Sequence, residues 1–241
     1  MGEGYETQVE TTGGYLVADC FRDRFRREWF DPEFWGDAAE PVATGGRGSA
    51  WFVSSGSDQM VLRHFCRGGL PGRFIRRDYF YTGADGVRSF AEFRLLHKLF
   101  QDGFPVPEPI AADFRRRGLL FYRASLIVRR IPGASPLSGF TSADCVRTWW
   151  DAGVCVRHFH EAGVFHADLN CTNILVADQI YLIDFDRGRI LPNDHDDRWK
   201  AANISRLERS VKKLLGNLDA GLRDKLWQGF LAGYNLNWQH N

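Results

Sequence analysis

Lysine is scarce in this chain of 241 residues, and none of its five lysines precedes position 98. The 31 basic residues are therefore almost all arginine, and 30 acidic residues balance them to a net charge of +1. A chain with so little excess charge lacks the bulk attraction to nucleic acid of a strongly basic protein. We expect no nucleic-acid role, and no segment indicates an obligate protein partner.

Long hydrophobic runs are also absent, since no stretch approaches the roughly eighteen apolar residues that suggest a membrane span. The first residues include Glu3, Glu6 and Glu10 and lack the basic and then apolar pattern of a secretory leader. The five cysteines are an odd number without a CxxC pair, which favours reduced thiols in a cytoplasmic protein. The apolar content of 44% is that of a globular chain with a sizeable core.

The residues that indicate a chemistry lie in HADLNCTN at 166–173 and DFD at 184–186. Asp168, Asn173 and Asp184 have the spacing found in kinase-type phosphotransferases. One carboxylate there accepts a proton from the attacking hydroxyl, while an amide oxygen and a second carboxylate hold magnesium against the nucleotide phosphates. Apolar runs follow Asn173 and precede Asp184, which predicts two short strands that carry both ligands to one edge.

Upstream of this motif the sequence predicts a small sheet and a helix. A glycine-rich turn contains Gly45, Gly46 and Gly48, whose backbone amides can approach phosphate groups closely. Strands are predicted over 50–53 and 60–65, and an amphipathic helix over 90–99. Further strands are predicted at 15–18, 110–114, 119–122 and 124–129, and helices at 141–163 and from 199 onward.

The stretch at 21–35 has two interpretations. Phe21, Phe25 and Trp29 recur at four-residue spacing with arginines between them, which predicts a short amphipathic helix. Such a helix either lies on an anionic membrane surface or packs against its own domain.

The order of these elements resembles the protein-kinase-like fold over about residues 40–215. The resemblance implies an α+β fold of two lobes, with a small antiparallel β-sheet in the N-lobe and a mostly helical C-lobe. We expect the N-lobe at 41–131, the C-lobe at 132–241, and an N-terminal extension at 1–40, for which membrane association is one of the two interpretations above.

The same resemblance implies roles for single residues. Arg63 stands where protein kinases carry a lysine, and a guanidinium can bind a carboxylate and a phosphate together. Ala167 and Asp186 replace an arginine and a glycine of the protein-kinase pattern, which argues against a protein kinase switched by loop phosphorylation. The implied set is Gly45, Gly46, Gly48 and Arg63 at the ATP phosphates, Glu92 as the partner of Arg63, Asp168 as the catalytic base, and Asn173 and Asp184 as Mg²⁺ ligands.

Five segments narrow the resemblance to the bacterial lipopolysaccharide-core kinases, and most closely to kinases of 3-deoxy-D-manno-octulosonic acid (Kdo). That family carries arginine at the position of Arg63. The resemblance implies ATP-dependent, magnesium-dependent phosphorylation of the Kdo 4-hydroxyl of Kdo–lipid IVA by a peripheral protein on the cytoplasmic side of the inner membrane. The segments are VLRHFCRGG at 61–69, RFIRRDYFY at 73–81, HADLNCTNIL at 166–175, LIDFDRGRI at 182–190 and RLERSVKKL at 206–214.

Other acceptors and another class of function remain open. The acceptor could be a heptose of the same glycolipid core or another small molecule, although the arginine clusters at 22–27, 67–77 and 115–117 disfavour a cationic one. A non-catalytic nucleotide-binding scaffold is the alternative of a different class. The complete set of Asp168, Asn173 and Asp184 argues against the scaffold.

Overall fold

The computed structural model describes residues 4–42, 49–66, 78–192 and 196–236. The chain forms two compact units, of which the first comprises Met1–Phe100 and Pro107–Arg130, and the second Gln101–Val106 and Ile131–Asn241. The short segment 101–106 belongs to the second unit because the Pro105 carbonyl accepts the Leu182 N–H at 3.0 Å. Gly45, Gly46 and Gly48, which are predicted to approach the ATP phosphates, lie outside the described residues.

The first unit is built on an eight-stranded sheet in which every neighbouring pair is antiparallel. The strand order is β1-β2-β7-β8-β5-β4-β3, with β6 also paired to β8. The residues that we expected to form an extension supply β1 and β2, and β2 pairs with β7. The strands are β1 Tyr5–Glu10, β2 Gly13–Ala18, β3 Ala39–Pro41, β4 Ala50–Ser55, β5 Asp58–His64, β6 Tyr79–Phe80, β7 Pro109–Arg117 and β8 Phe121–Arg129.

One helix of this unit, α1 (Arg88–Gln101), covers part of the sheet. Its buried apolar residues are Phe90, Phe93, Leu96 and Leu99, which follow one another at intervals of three, about one helical turn. The Phe90 ring meets the Phe114 ring of β7 edge to face, with 5.3 Å between centroids. The prediction of an amphipathic helix here is confirmed.

The amphipathic helix predicted from Phe21, Phe25 and Trp29 is wrong, because the extended backbone of Arg26 separates two 3₁₀ helices, Asp19–Phe21 and Arg27–Phe30. A third 3₁₀ helix, Pro32–Ala38, begins directly after Asp31. Proline disfavours the α-helical conformation in the residue before it, and Asp31 is extended and caps the third helix by accepting the Glu33 N–H at 3.0 Å. Phe21 and Trp29 are buried within their own unit, which supports the packing interpretation.

In its described residues, the second unit contains three α-helices and several short strands. Helix α2 begins at Val146 rather than 141, because a 3₁₀ turn at Ala143–Cys145 precedes it. The helices α2 and α4 approach so closely that a Cβ on Gly153 or Gly233 would lie 2.0 Å from a carbonyl oxygen of the other helix. The elements are α2 Val146–Glu161, α3 Arg198–Leu214, α4 Ala220–Tyr234, β9 Ser135–Pro136, β10 Val164–Phe165, β11 Ile174–Val176, β12 Ile180–Leu182 and β13 Arg189–Ile190. Across the described ranges, no helix is both long and apolar enough to cross a membrane.

Candidate active site

The predicted hairpin of the second unit is formed by β11 and β12. Ile174 pairs with Leu182 and Val176 with Ile180, and the Ala177 N–H closes the turn on the Gln179 carbonyl at 3.0 Å. The apolar runs therefore carry the two proposed ligands to the same end of the hairpin.

A closed ring of four hydrogen bonds joins the proposed base to both proposed ligand segments. The Asp168 N–H donates to His166 Nδ1 at 3.2 Å, and His166 Nε2–H donates to the Ile183 carbonyl at 2.9 Å. The Ile183 N–H donates to the Asn173 carbonyl at 3.0 Å, and Asn173 Nδ2 donates to the Asp168 carbonyl at 3.0 Å. Each member donates once and accepts once, so the position of Asp168 is tied to Asn173 and to the residue before Asp184.

This ring requires His166 to be neutral. Its Nδ1 accepts and its Nε2 donates, which is the pattern of a single tautomer of the uncharged imidazole. Burial lowers the pKa of His166 below its ordinary value, which keeps the ring uncharged. His166 therefore holds the loop at 166–173 to the residue before Asp184 by hydrogen bonds.

The Asp168 carboxylate is exposed, as a base that receives a proton from an acceptor must be. Its Oδ1 accepts from Arg206 Nη1 at 2.9 Å, and its Oδ2 accepts from Asn170 Nδ2 at 3.3 Å. The Asn170 side chain also accepts the N–H groups of Thr172 and Asn173, at 2.8 and 3.2 Å. The carboxylate is thus held in place while its oxygens remain accessible.

Asn173 and Asp184 fit a magnesium ion by their chemistry. Because Asn173 Nδ2 donates within the loop, its side-chain oxygen is the atom that can ligate a hard cation. Asp184 has a φ of 64°, a conformation that is uncommon outside glycine and that clusters at functional sites. In the described part of the chain, no group of three His, Cys, Asp or Glu side chains could hold a metal. A site completed by nucleotide oxygens and water needs only the two ligands present.

In the first unit, the structure brings Arg63 and Glu92 together as an ion pair between β5 and α1. The Glu92 carboxylate is buried, whereas the Arg63 side chain is 23% exposed and lies 4.7 Å from the Phe65 ring centroid. The guanidinium is therefore anchored at one side and reachable from solvent.

Arg206 is the residue that the motif reasoning missed. It lies on α3, 38 positions after Asp168, and the segment RLERSVKKL was noted only for its resemblance. No residue near Asp168 in the sequence indicates this contact, which depends on the packing of α3.

Comparison with known proteins identifies relatives of this chain. A family model described as "Lipopolysaccharide kinase (Kdo/WaaP) family" matches residues 32–234. A protein of Xanthomonas campestris pv. campestris (strain B100), named 3-deoxy-D-manno-octulosonic acid kinase, is 42% identical over 232 residues, which are 93% of this chain and 92% of that protein. A protein of the same name from Xylella fastidiosa (strain M12) is 40% identical over 232 residues, covering 93% of this chain and 91% of that one.

Two solved structures share the fold. WaaP in complex with acyl carrier protein has a TM-score of 0.54 at 15% identity, over 90% of this chain and 88% of that chain. Glucosamine kinase in complex with glucosamine, ADP and inorganic phosphate has a TM-score of 0.51 at 16% identity, over 97% of this chain and 79% of that chain. The predicted α+β, protein-kinase-like fold is therefore confirmed.

Fold, motif and relatives together define a kinase-type phosphotransferase that acts on a hydroxyl acceptor. Within that class, the chain belongs to the lipopolysaccharide kinase (Kdo/WaaP) family.

Proposed function

We propose that this protein transfers the γ-phosphoryl group of ATP to the 4-hydroxyl of the Kdo sugar of Kdo–lipid IVA, in lipopolysaccharide core biosynthesis. The observation that carries the proposal is the exposed Asp168 carboxylate, held by Arg206 and Asn170 within the hydrogen-bonded ring. The family match and the relatives named 3-deoxy-D-manno-octulosonic acid kinase support the choice of sugar.

Asp168 accepts the proton of the sugar hydroxyl as that oxygen attacks the γ-phosphorus. A bond forms between the sugar oxygen and the γ-phosphorus, the bond from this phosphorus to the β–γ bridging oxygen breaks, and ADP leaves. Arg206 keeps the Asp168 carboxylate oriented toward the acceptor. Positioning of this kind is the main catalytic contribution expected of a kinase.

Asn173 and Asp184 are the residues that would hold Mg²⁺, which neutralises charge on the nucleotide phosphates when bound. Arg63, fixed by Glu92, binds the ATP phosphates through the exposed part of its guanidinium. Gly45, Gly46 and Gly48 contribute backbone amides to the same phosphates.

The acceptor is an amphiphile, so the enzyme works as a peripheral protein at the cytoplasmic face of the inner membrane. Although the net charge is only +1, its local clusters of arginine suit an acceptor that carries phosphates and a sugar carboxylate.

The test is incubation of the purified protein with Mg²⁺, labelled ATP and either Kdo–lipid IVA or lipid IVA without Kdo. Label is expected on the first lipid alone, and NMR of the product locates the phosphorylated hydroxyl. Label on a heptose-containing core or on a small sugar instead would contradict the choice of acceptor. ATP binding without turnover on any acceptor would favour a nucleotide-binding scaffold.

Asp168→Asn is expected to reduce transfer by about a thousandfold or more while ATP binding remains, because the base is lost and the shape is kept. Asp178→Asn is the matched control, since Asp178 is an exposed carboxylate in the turn between β11 and β12. Turnover by Asp168→Asn close to that of the control would refute the assignment of the base.

A further inference from the structure

The turn between β7 and β8 presents an exposed apolar apex. Leu119 and Leu120 are 86% and 63% exposed, the highest values among the large hydrophobic residues that the structure describes. Phe80 of the neighbouring β6 is 61% exposed, and its ring lies 4.9 Å from that of Phe121. Single exposed leucines are ordinary, but a contiguous group of this kind marks an interaction surface.

The apex is held in a fixed shape by its backbone. Gly118 has a φ of 65°, which allows the chain to turn, and the Tyr81 N–H donates to the Leu120 carbonyl at 2.9 Å. The Arg116 guanidinium also donates to the Leu119 carbonyl and lies 4.0 Å from the Tyr81 ring centroid. The leucines are therefore presented by a hydrogen-bonded hairpin, so little ordering entropy opposes their insertion into a partner.

Arginines surround this apex on both strands. Arg115, Arg116 and Arg117 end β7, and Arg123 follows the start of β8. Two of them have carboxylate partners, since Arg115 Nε lies 3.2 Å from Asp113 and Arg123 Nε lies 2.6 Å from Asp78. Four arginines against two carboxylates leave the base of the hairpin positively charged.

We propose that this apex, residues 118–120 together with Phe80, inserts into an anionic lipid bilayer while the surrounding arginines contact lipid phosphates. The inference rests on the proposed function, because a bilayer-embedded glycolipid acceptor requires the enzyme to work at a membrane surface.

The composition favours a bilayer over a protein partner. A stable protein interface buries about 800 Å² on each partner, which is much more than two leucines and one phenylalanine present. A bilayer accepts a small apolar insertion, and membrane anchoring becomes firm when a hydrophobic signal and a basic one act together. The apex supplies the first signal and the arginines supply the second.

The experiment measures co-sedimentation of the full chain with phosphatidylcholine vesicles, with and without phosphatidylglycerol. Wild-type protein is expected to bind the anionic vesicles, and to bind less as the salt concentration rises. Leu119→Ser/Leu120→Ser should weaken the partition coefficient by about tenfold or more, because several buried methylene groups are lost. Arg117→Gln should weaken it about fivefold, and only for the anionic vesicles.

Leu214→Ser is the matched control, since Leu214 is 48% exposed on α3 and lies outside the hairpin. Its partition should equal that of wild type, and the double variant should unfold at the wild-type urea midpoint because it changes only exposed side chains. Equal vesicle binding by wild type and the double variant would overturn the proposal. So would failure of the wild type to bind anionic vesicles, which would point to a protein as the partner of the apex.

A second readout separates this inference from the proposed function. The double variant should lose turnover on vesicle-embedded Kdo–lipid IVA but keep wild-type turnover on a deacylated, water-soluble Kdo acceptor. An equal loss on both acceptors would contradict a membrane role for the leucines. If vesicle binding depends on Leu119 and Leu120 but no Kdo acceptor is phosphorylated, the proposed function is contradicted. The inference that the apex inserts into a bilayer is then still supported.

Discussion

The ion pair between Arg63 and Glu92 allows a structural role and a catalytic role to be separated by experiment. Arg63→Met removes the charge but keeps much of the side-chain volume. It leaves the buried Glu92 carboxylate without this partner. Arg63→Met/Glu92→Met removes both charges and leaves two flexible apolar side chains in their place.

The single variant is expected to lose much more stability than the double variant. Removal of one partner of a buried pair costs about 3–5 kcal/mol, because the remaining charge is desolvated. Since the Arg63 side chain is 23% exposed, water can reach the site, and we expect a smaller cost than this range, about 2–3 kcal/mol. The double variant should recover most of the loss, because apolar replacement of a buried pair is often neutral.

Phosphotransfer should not recover in the same way. If Arg63 binds the ATP phosphates, both variants lose this charge, and turnover should fall by about a hundredfold or more in each. Urea unfolding measures the first effect, and transfer of labelled phosphate to Kdo–lipid IVA measures the second. Arg147→Met is the control for loss of an exposed arginine, since its partner Asp151 is itself exposed to solvent and needs no counter-charge.

Two results would refute this reasoning. A double variant that is stable and retains near wild-type turnover would show that Arg63 serves the fold and not the nucleotide. A cost below about 0.5 kcal/mol for Arg63→Met would show that Glu92 is solvated, as at an exposed pair.

Three further predictions concern the second unit. Arg206→Gln should lower kcat about tenfold with an unchanged KM for ATP, and Arg206→Lys should restore part of it, as steady-state kinetics would show. Burial lowers the pKa of His160 from 6.5 to about 3. Between these two pH values the unfolded chain binds a proton at His160 and the folded chain does not, so the free energy of unfolding falls as the pH decreases below about 6.5. The contribution of His160 to the slope is about 1.4 kcal/mol per pH unit, and urea unfolding of His160→Phe should show a slope smaller by this amount, with the contribution of the buried His166 remaining. Gly233→Ala should lower the free energy of unfolding by about 3 kcal/mol or more, since the added Cβ would lie 2.0 Å from the Trp150 carbonyl oxygen. Gly139→Ala is the control: its added Cβ has no atom within 4 Å, so urea unfolding should show no change.

The parts of the fold that were predictable are those with a strong local pattern. Alternating and continuous apolar runs identified β4, β5, β11 and β12, and helical spacing identified α1. The first strand was missed because it lies at the edge of the sheet and most of its side chains are exposed, so it carries little apolar alternation. The segment at 21–35 was misjudged because its aromatic residues have helical spacing, but the backbone of Arg26 is extended and no continuous helix forms.

The candidate site also divides into residues with a local sequence pattern and a residue placed only by packing. Asp168, Asn173 and Asp184 were recognisable because the ring of hydrogen bonds that positions them closes within residues 166–183. A geometry made from so short a stretch requires particular residues at fixed spacing, and fixed spacing is what a motif records. Arg206 reaches Asp168 from a separate helix, and only the packing of α3 determines that approach. Substitution of His166 should therefore disturb the base and the ligand segments together, whereas substitution of Arg206 should affect the base alone.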